Sequence, residues 1–258
     1  MTLDAGQAPG TWSALEGLLL AMADDEFVIG YWDSEWTGIA PLLEEDVAMS
    51  SIAQDEIGHA RAFYGLLGEL TERDPDAIAY DRPPESFRHC RLVDHPRTDW
   101  AFTVARRYLY ETADAVRLSA LADSSFAPLA GLVTKIQREE TYHLAHAEGW
   151  LRRLATARPE GRTRLLAAVR TLAPDAATVF TPLADEPALV ETGVMTAGAA
   201  DQAQLWRAGL EPLFAQLDLP LPGLAADPAT GRTTHGDGFR WLYGEFTAVR
   251  RLDPVAAW

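Results

Sequence analysis

One cysteine, Cys90, stands among the 258 residues, so no disulfide forms within the chain and its stability comes from packing. Long apolar runs are missing as well. Stretches such as Leu18 to Ala23 fall far short of the roughly 20 residues that cross a bilayer, which excludes a helical membrane span. Basic charge is scarce: 22 Lys and Arg against 38 Asp and Glu leave a formal charge of −16. Such a surface repels nucleic-acid phosphates and anionic membrane faces, so neither is an expected partner. An anionic substrate such as a coenzyme A thioester would need a local basic patch or a partner protein to capture it. Gly-rich phosphate loops, Cys-x-x-Cys pairs, nucleophilic triads and tandem repeats of solenoid period are absent. So is a basic, apolar leader at the N-terminus, which together with the lone cysteine predicts a cytoplasmic protein.

What the sequence does contain is 48% hydrophobic residues, enough for a sizeable core, set out with helical period. Thr11 or Ser13 is expected to cap a first helix over about Trp12 to Trp36, with Leu15, Leu19, Met22 and Ile29 on one stripe. A second follows from Leu42 to Leu70, carrying Met49, Ile52, Phe63 and Leu66. Residues 77–97 hold three prolines and no sustained period, and read as a long crossover. A third helix over about Asp99 to Ala122 and a fourth over about Phe126 to Ala157 complete a bundle. Shorter helical patterns, Thr163 to Leu172, Asp201 to Leu217 and Phe239 to Leu252, form an appendage. The expectation is an all-α, ferritin-like four-helix bundle over residues 11–157 with C-terminal helices over 158–258, in a single domain.

Chemistry sits on the pseudo-repeat of helices one plus two and three plus four. Glu56 with His59 and Glu140 with His143 are two Glu-x-x-His pairs, and at i and i+3 both side chains project from one helical face. One such pair is weak evidence. Two of them, each falling on its helix's apolar stripe, are strong, because a buried carboxylate needs a proton or a cation. Each remaining helix offers one further carboxylate on its stripe: Glu26, 30 residues before Glu56, and Glu111, 29 residues before Glu140. Glu26, Glu56, His59, Glu111, Glu140 and His143 are therefore the candidate ligands of a two-metal site, in which four carboxylates balance two ferrous ions and neutral imidazoles complete the coordination. Two iron ions held this way would react with dioxygen. The competing reading is a buried polar network without metal. Asp24 and Asp25 compete with Glu26 from off its stripe. Asp114 competes with Glu111, but its spacing to Arg107 and Arg117 reads as a solvated salt-bridge face, as do Arg106 with Arg107 and Arg152 with Arg153. Glu139 reads as solvent-facing and His146 as a surface or outer-layer histidine. His89, His95 and His235 lie in loops without ligand spacing, and Trp32, Trp36, Trp100, Tyr108 and Trp150 read as core or interface packing.

The chain also resembles a known family. Phe87 to Leu118 with Ala105-Arg106-Arg107-Tyr108, Glu139 to Leu151 with Tyr142-His143-Leu144 and Gly149-Trp150-Leu151, and the tail Gly231 to Trp258 with Thr234-His235 are similar to the C subunits of bacterial phenylacetyl-CoA epoxidases. The resemblance implies a scaffold subunit of a multicomponent monooxygenase in phenylacetate catabolism. Its expected partners are a homologous catalytic A subunit, further subunits of the complex and a reductase, with a homodimer as a further possibility. It implies a reduced ligand set too, whereas all six residues stand here. The alternative function is a self-sufficient ferritin-like diiron oxidase or oxygenase.

Overall fold

The computed structural model describes residues 9–224 and 231–253. Among them there is no strand, and the order is α1 (Pro9–Ser34), α2 (Leu43–Thr71), α3 (Pro75–Tyr80), a 3-10 turn (Pro84–Ser86), α4 (Arg91–Asp94), α5 (Trp100–Leu121), α6 (Ala127–Ala155), α7 (Pro159–Leu172), a second 3-10 turn (Ala176–Phe180), α8 (Glu186–Glu191), α9 (Ala199–Leu217) and α10 (Asp237–Leu252). The architecture is the expected all-α, ferritin-like bundle of α1, α2, α5 and α6. No helix of the described residues is long and apolar enough to cross a membrane.

Each bundle helix buries the face that its sequence period marks. On α2 the buried positions include Met49, Ile52, Glu56, His59 and Phe63, and on α6 they are Leu129, Val133, Ile136, Glu140, His143, Ala147, Leu151 and Ala155. Steps of three and four keep these side chains on one stripe, so the acidic and imidazole groups sit in line with the core. Helix α1 packs most extensively on α2, and α5 on α6. The close approach of α1 to α2 depends on Gly30, where an added Cβ would stand 2.9 Å from Ile57 Cγ1 and 3.0 Å from Glu56 Cβ.

The ends of the elements carry the differences from expectation. Helix α1 begins at Pro9, before Thr11 and Ser13, so neither caps it, and it ends at Ser34, with Trp36 in the following turn. At α5 the cap is Asp99, whose carboxylate accepts a hydrogen bond from the Phe102 amide at 2.9 Å, satisfying a free N–H of the first turn. The crossover is not irregular throughout. It contains α3, a 3-10 turn and α4, too short to show a period. Helices α7 and α9 pack against α5, and α10 rests on α1 and α3 through an aromatic cluster in which Phe246 meets Phe27, Tyr31 and Phe87. Of the tail, α10 lies on this face, whereas Gly231 sits against Thr181 and Arg232 reaches the Arg88 and Val179 carbonyls; Trp258 is outside the described residues.

Candidate metal centre

Helices α1, α2, α5 and α6 bring Glu26, Glu56, His59, Glu111, Glu140 and His143 together inside the bundle, all buried. They form two overlapping donor groups. Glu26, Glu56, His59 and Glu140 have ligand atoms within 4.8 Å of one another, as do Glu56, Glu111, Glu140 and His143. Glu56 and Glu140 belong to both groups, so each half owns one glutamate and one histidine and shares two carboxylates.

Both histidines turn Nδ1 inward. His59 Nδ1 stands 3.3 Å from Glu140 Oε1 and 3.7 Å from Glu26 and Glu56. His143 Nδ1 stands 3.2 Å from Glu140 and 3.3 Å from Glu56. The outer nitrogens are held across the α2 and α6 helices: His59 Nε2 pairs with Glu139 at 2.8 Å and His143 Nε2 with Asp55 at 3.2 Å. Each orienting carboxylate immediately precedes the glutamate of the opposite pair. Such partners fix ring orientation and leave the inner nitrogen free to ligate. Glu139, expected to face solvent, is half exposed and has this second role. His146 lies outside the cluster and pairs with Glu45.

The fit to a metal is testable atom by atom. Glu26 Oε2, Glu56 Oε2, His59 Nδ1, Glu111 Oε2, Glu140 Oε1 and His143 Nδ1 are buried polar atoms that make no hydrogen bond among the described residues. Each candidate ligand thus contributes one unsatisfied inward atom, and buried polar groups are otherwise almost always satisfied. Carboxylate oxygens with imidazole nitrogens suit iron or manganese. The donor set fits.

Without an ion, the cluster must hold protons. Burial, then the Glu56 charge, pushes Glu26 well above the usual carboxylate range. Glu111 moves the same way, burial outweighing Arg107, with Glu140 adding to the rise. Burial and Glu56 would raise Glu140, but His143, His59 and Glu111 hold it down to about 2. Burial alone would keep the imidazoles neutral. Glu56 and Glu140 nevertheless push His143 up to about 10, and Glu140, Glu26 and Glu56 push His59 up too. An imidazolium raised from 6.5 to about 10 on folding stabilises the fold fully below its unfolded value and loses that contribution as pH rises through the folded one. The melting temperature of chelator-treated chain is therefore expected to fall as pH is raised from 6.5 toward 10; a flat profile over that range would contradict protonated histidines at the centre.

Around the six lies a buried layer of charges whose spacing predicts solvated faces. Arg106 and Arg107 are fully buried, and Asp114 is too, which corrects their placement at the surface. Arg106 Nη2 meets Asp33 Oδ1 at 3.1 Å, and Arg107 Nη1 meets Asp33 Oδ2. Arg107 Nη2 also reaches Glu56 at 3.0 Å and Glu111. Arg117 joins Asp25 and Asp114, Arg232 reaches Asp25 at 2.9 Å, and Arg82 holds Asp24. Asp24 and Asp25 are thus committed to arginines, while among the described residues Glu26 receives only the Tyr110 hydroxyl at 2.7 Å as a hydrogen-bond donor. Arg152 and Arg153 do lie at the surface. His89 and His235, expected in loops without ligand spacing, stack with ring centroids 4.1 Å apart, and Asp94 bonds His89 Nε2 at 2.9 Å. Their proximity arises from tail and crossover meeting, which no local spacing encodes.

A family model described as phenylacetic acid catabolic protein matches residues 5–258. The C subunit of 1,2-phenylacetyl-CoA epoxidase from Escherichia coli (strain K12) is 31% identical over 249 residues, covering 95% of this chain and 99% of that protein. The A subunit of the same epoxidase is 26% identical over 111 residues, 43% of this chain and 36% of that protein.

Proposed function

The chain belongs to the phenylacetic acid catabolic protein family, and on that premise we propose that it is the scaffold subunit of a cytoplasmic, multicomponent phenylacetyl-CoA epoxidase. The observation that carries this reading is end-to-end similarity to the epoxidase's C subunit, against similarity to its A subunit over less than half of the chain. In this role the chain forms a single ferritin-like domain. It pairs with a homologous A subunit that does the substrate chemistry, and a reductase supplies electrons. Its formal charge of −16 agrees with leaving capture of an anionic thioester to a partner. Co-expression with an A-type subunit followed by size-exclusion chromatography tests the pairing. A stable heteromer is expected, and elution of two separate species would overturn it.

Glu26, Glu56, His59, Glu111, Glu140 and His143 would hold iron in this protein, with donors for two ions. Bound iron would supply reaction with dioxygen. The protein's own residues orient the ligands through Glu139, Asp55 and Tyr110 and exclude water by burial. That complete donor set favours a second reading, a self-sufficient diiron oxidase or oxygenase. Ferroxidase turnover by the lone chain would establish it.

A further inference from the structure

The two halves of the centre are built alike in ligands and unlike in charge. On the Glu111 half, Arg107 Nη2 rests against Glu111 and, at 3.0 Å, against Glu56 Oε1. On the Glu26 half the corresponding donor is the neutral Tyr110 hydroxyl. The guanidinium nearest Glu26 is Arg117, 4.0 Å away and already committed to Asp25 and Asp114.

We propose that Arg107 acts as a built-in cation for the Glu111 half, so that the centre takes its first divalent ion among Glu26, Glu56, His59 and Glu140 and binds a second only weakly. The proposal rests on the metal-centre reading above. A first ion leaves Arg107 in place, and with it four glutamates face three positive charges. A second ion must take Glu111 and Glu56 from Arg107. The displaced guanidinium has no route to water, since it is fully buried. Its remaining partner, Asp33, also serves Arg106. Two buried arginines would then share one carboxylate, and an undercompensated buried charge is costly. Access favours the same half. A cleft of about 190 Å³ between α2 and α6, lined by Asp55, Gly58, His59, Lys135 and Glu139 among others, opens onto His59. The His143 side chain has no exposed surface.

Titration of metal-free full-length chain with Mn2+, followed by equilibrium dialysis and electron paramagnetic resonance, decides the point. One tightly bound manganese per chain is expected, with the spectrum of an isolated ion and a second binding event at least about tenfold weaker. R107M should bring the second event close to the first and give the spectrum of a coupled pair. E26Q should abolish the tight event, and E111Q should leave it, so the test stands even if R107M does not fold. Two ions of equal affinity in the wild type, or a tight ion lost in E111Q and kept in E26Q, would overturn the inequality and leave the metal centre itself standing. No manganese in the wild type or any variant would overturn both.

Discussion

Saturation of the ion-free chain with ferrous or manganous ion is expected to raise its melting temperature by on the order of 10 °C. A ligand at about a thousand times its dissociation constant stabilises the native state by about 4 kcal/mol, and each kcal/mol shifts a chain of this size by about 2–4 °C. The physical source is the four glutamates gathered in the core, whose inward oxygens lack donors and repel one another when ionised. Joint replacement of His59 and His143 by alanine removes one imidazole from each half and should erase most of the shift. If saturating metal leaves the wild-type transition where it was, the six residues form a buried polar network and no metal centre.

Arg117→Met is expected to destabilise the fold by about 3–5 kcal/mol, the usual cost of leaving a buried carboxylate without its cation. Arg117 donates to Asp114 from Nε at 3.0 Å and from Nη2 at 2.6 Å, to Asp25 from Nη1, and to Tyr110 at 3.0 Å. Asp25 retains Arg232, but Asp114 keeps no other salt-bridge partner among the described residues. The contrast is Arg152→Met, which breaks an i,i+4 pair with Glu148 whose side chains are 43% and 38% exposed and should cost about 0–1 kcal/mol. Chemical denaturation of the two variants measures the difference. Equal effects would contradict the burial of the Arg117 network.

The bundle and its six inward residues were legible because both signals are local. Helical period marks the stripe, and Glu-x-x-His places two donors on one turn. The arginine layer was not legible from spacing, because Asp114 with Arg117 at i+3 looks the same on a wet surface as in a core. What separates the cases is Asp25 on α1, 92 residues from Arg117. One signal was available. Helix α1 is apolar almost all round, from Leu15, Leu18 and Leu19 through Met22, Phe27, Val28, Ile29 and Trp32, and such a helix is buried on every face. Its Asp24, Asp25 and Asp33 had to be buried as well and needed cations, which Arg82 from the crossover, Arg117 from α5, and Arg106 with Arg107 from α5 supply. The crossover helices escaped notice because four to six residues cannot display a 3.6-residue period.

The most direct test is epoxide formation from phenylacetyl-CoA, with reductase, electron donor and dioxygen supplied, by this chain alone and then together with an A-type subunit. No turnover by the chain alone and turnover by the pair are expected. Epoxide formed by the chain alone would contradict the scaffold assignment and make Glu26, Glu56, His59, Glu111, Glu140 and His143 a working oxygenase centre.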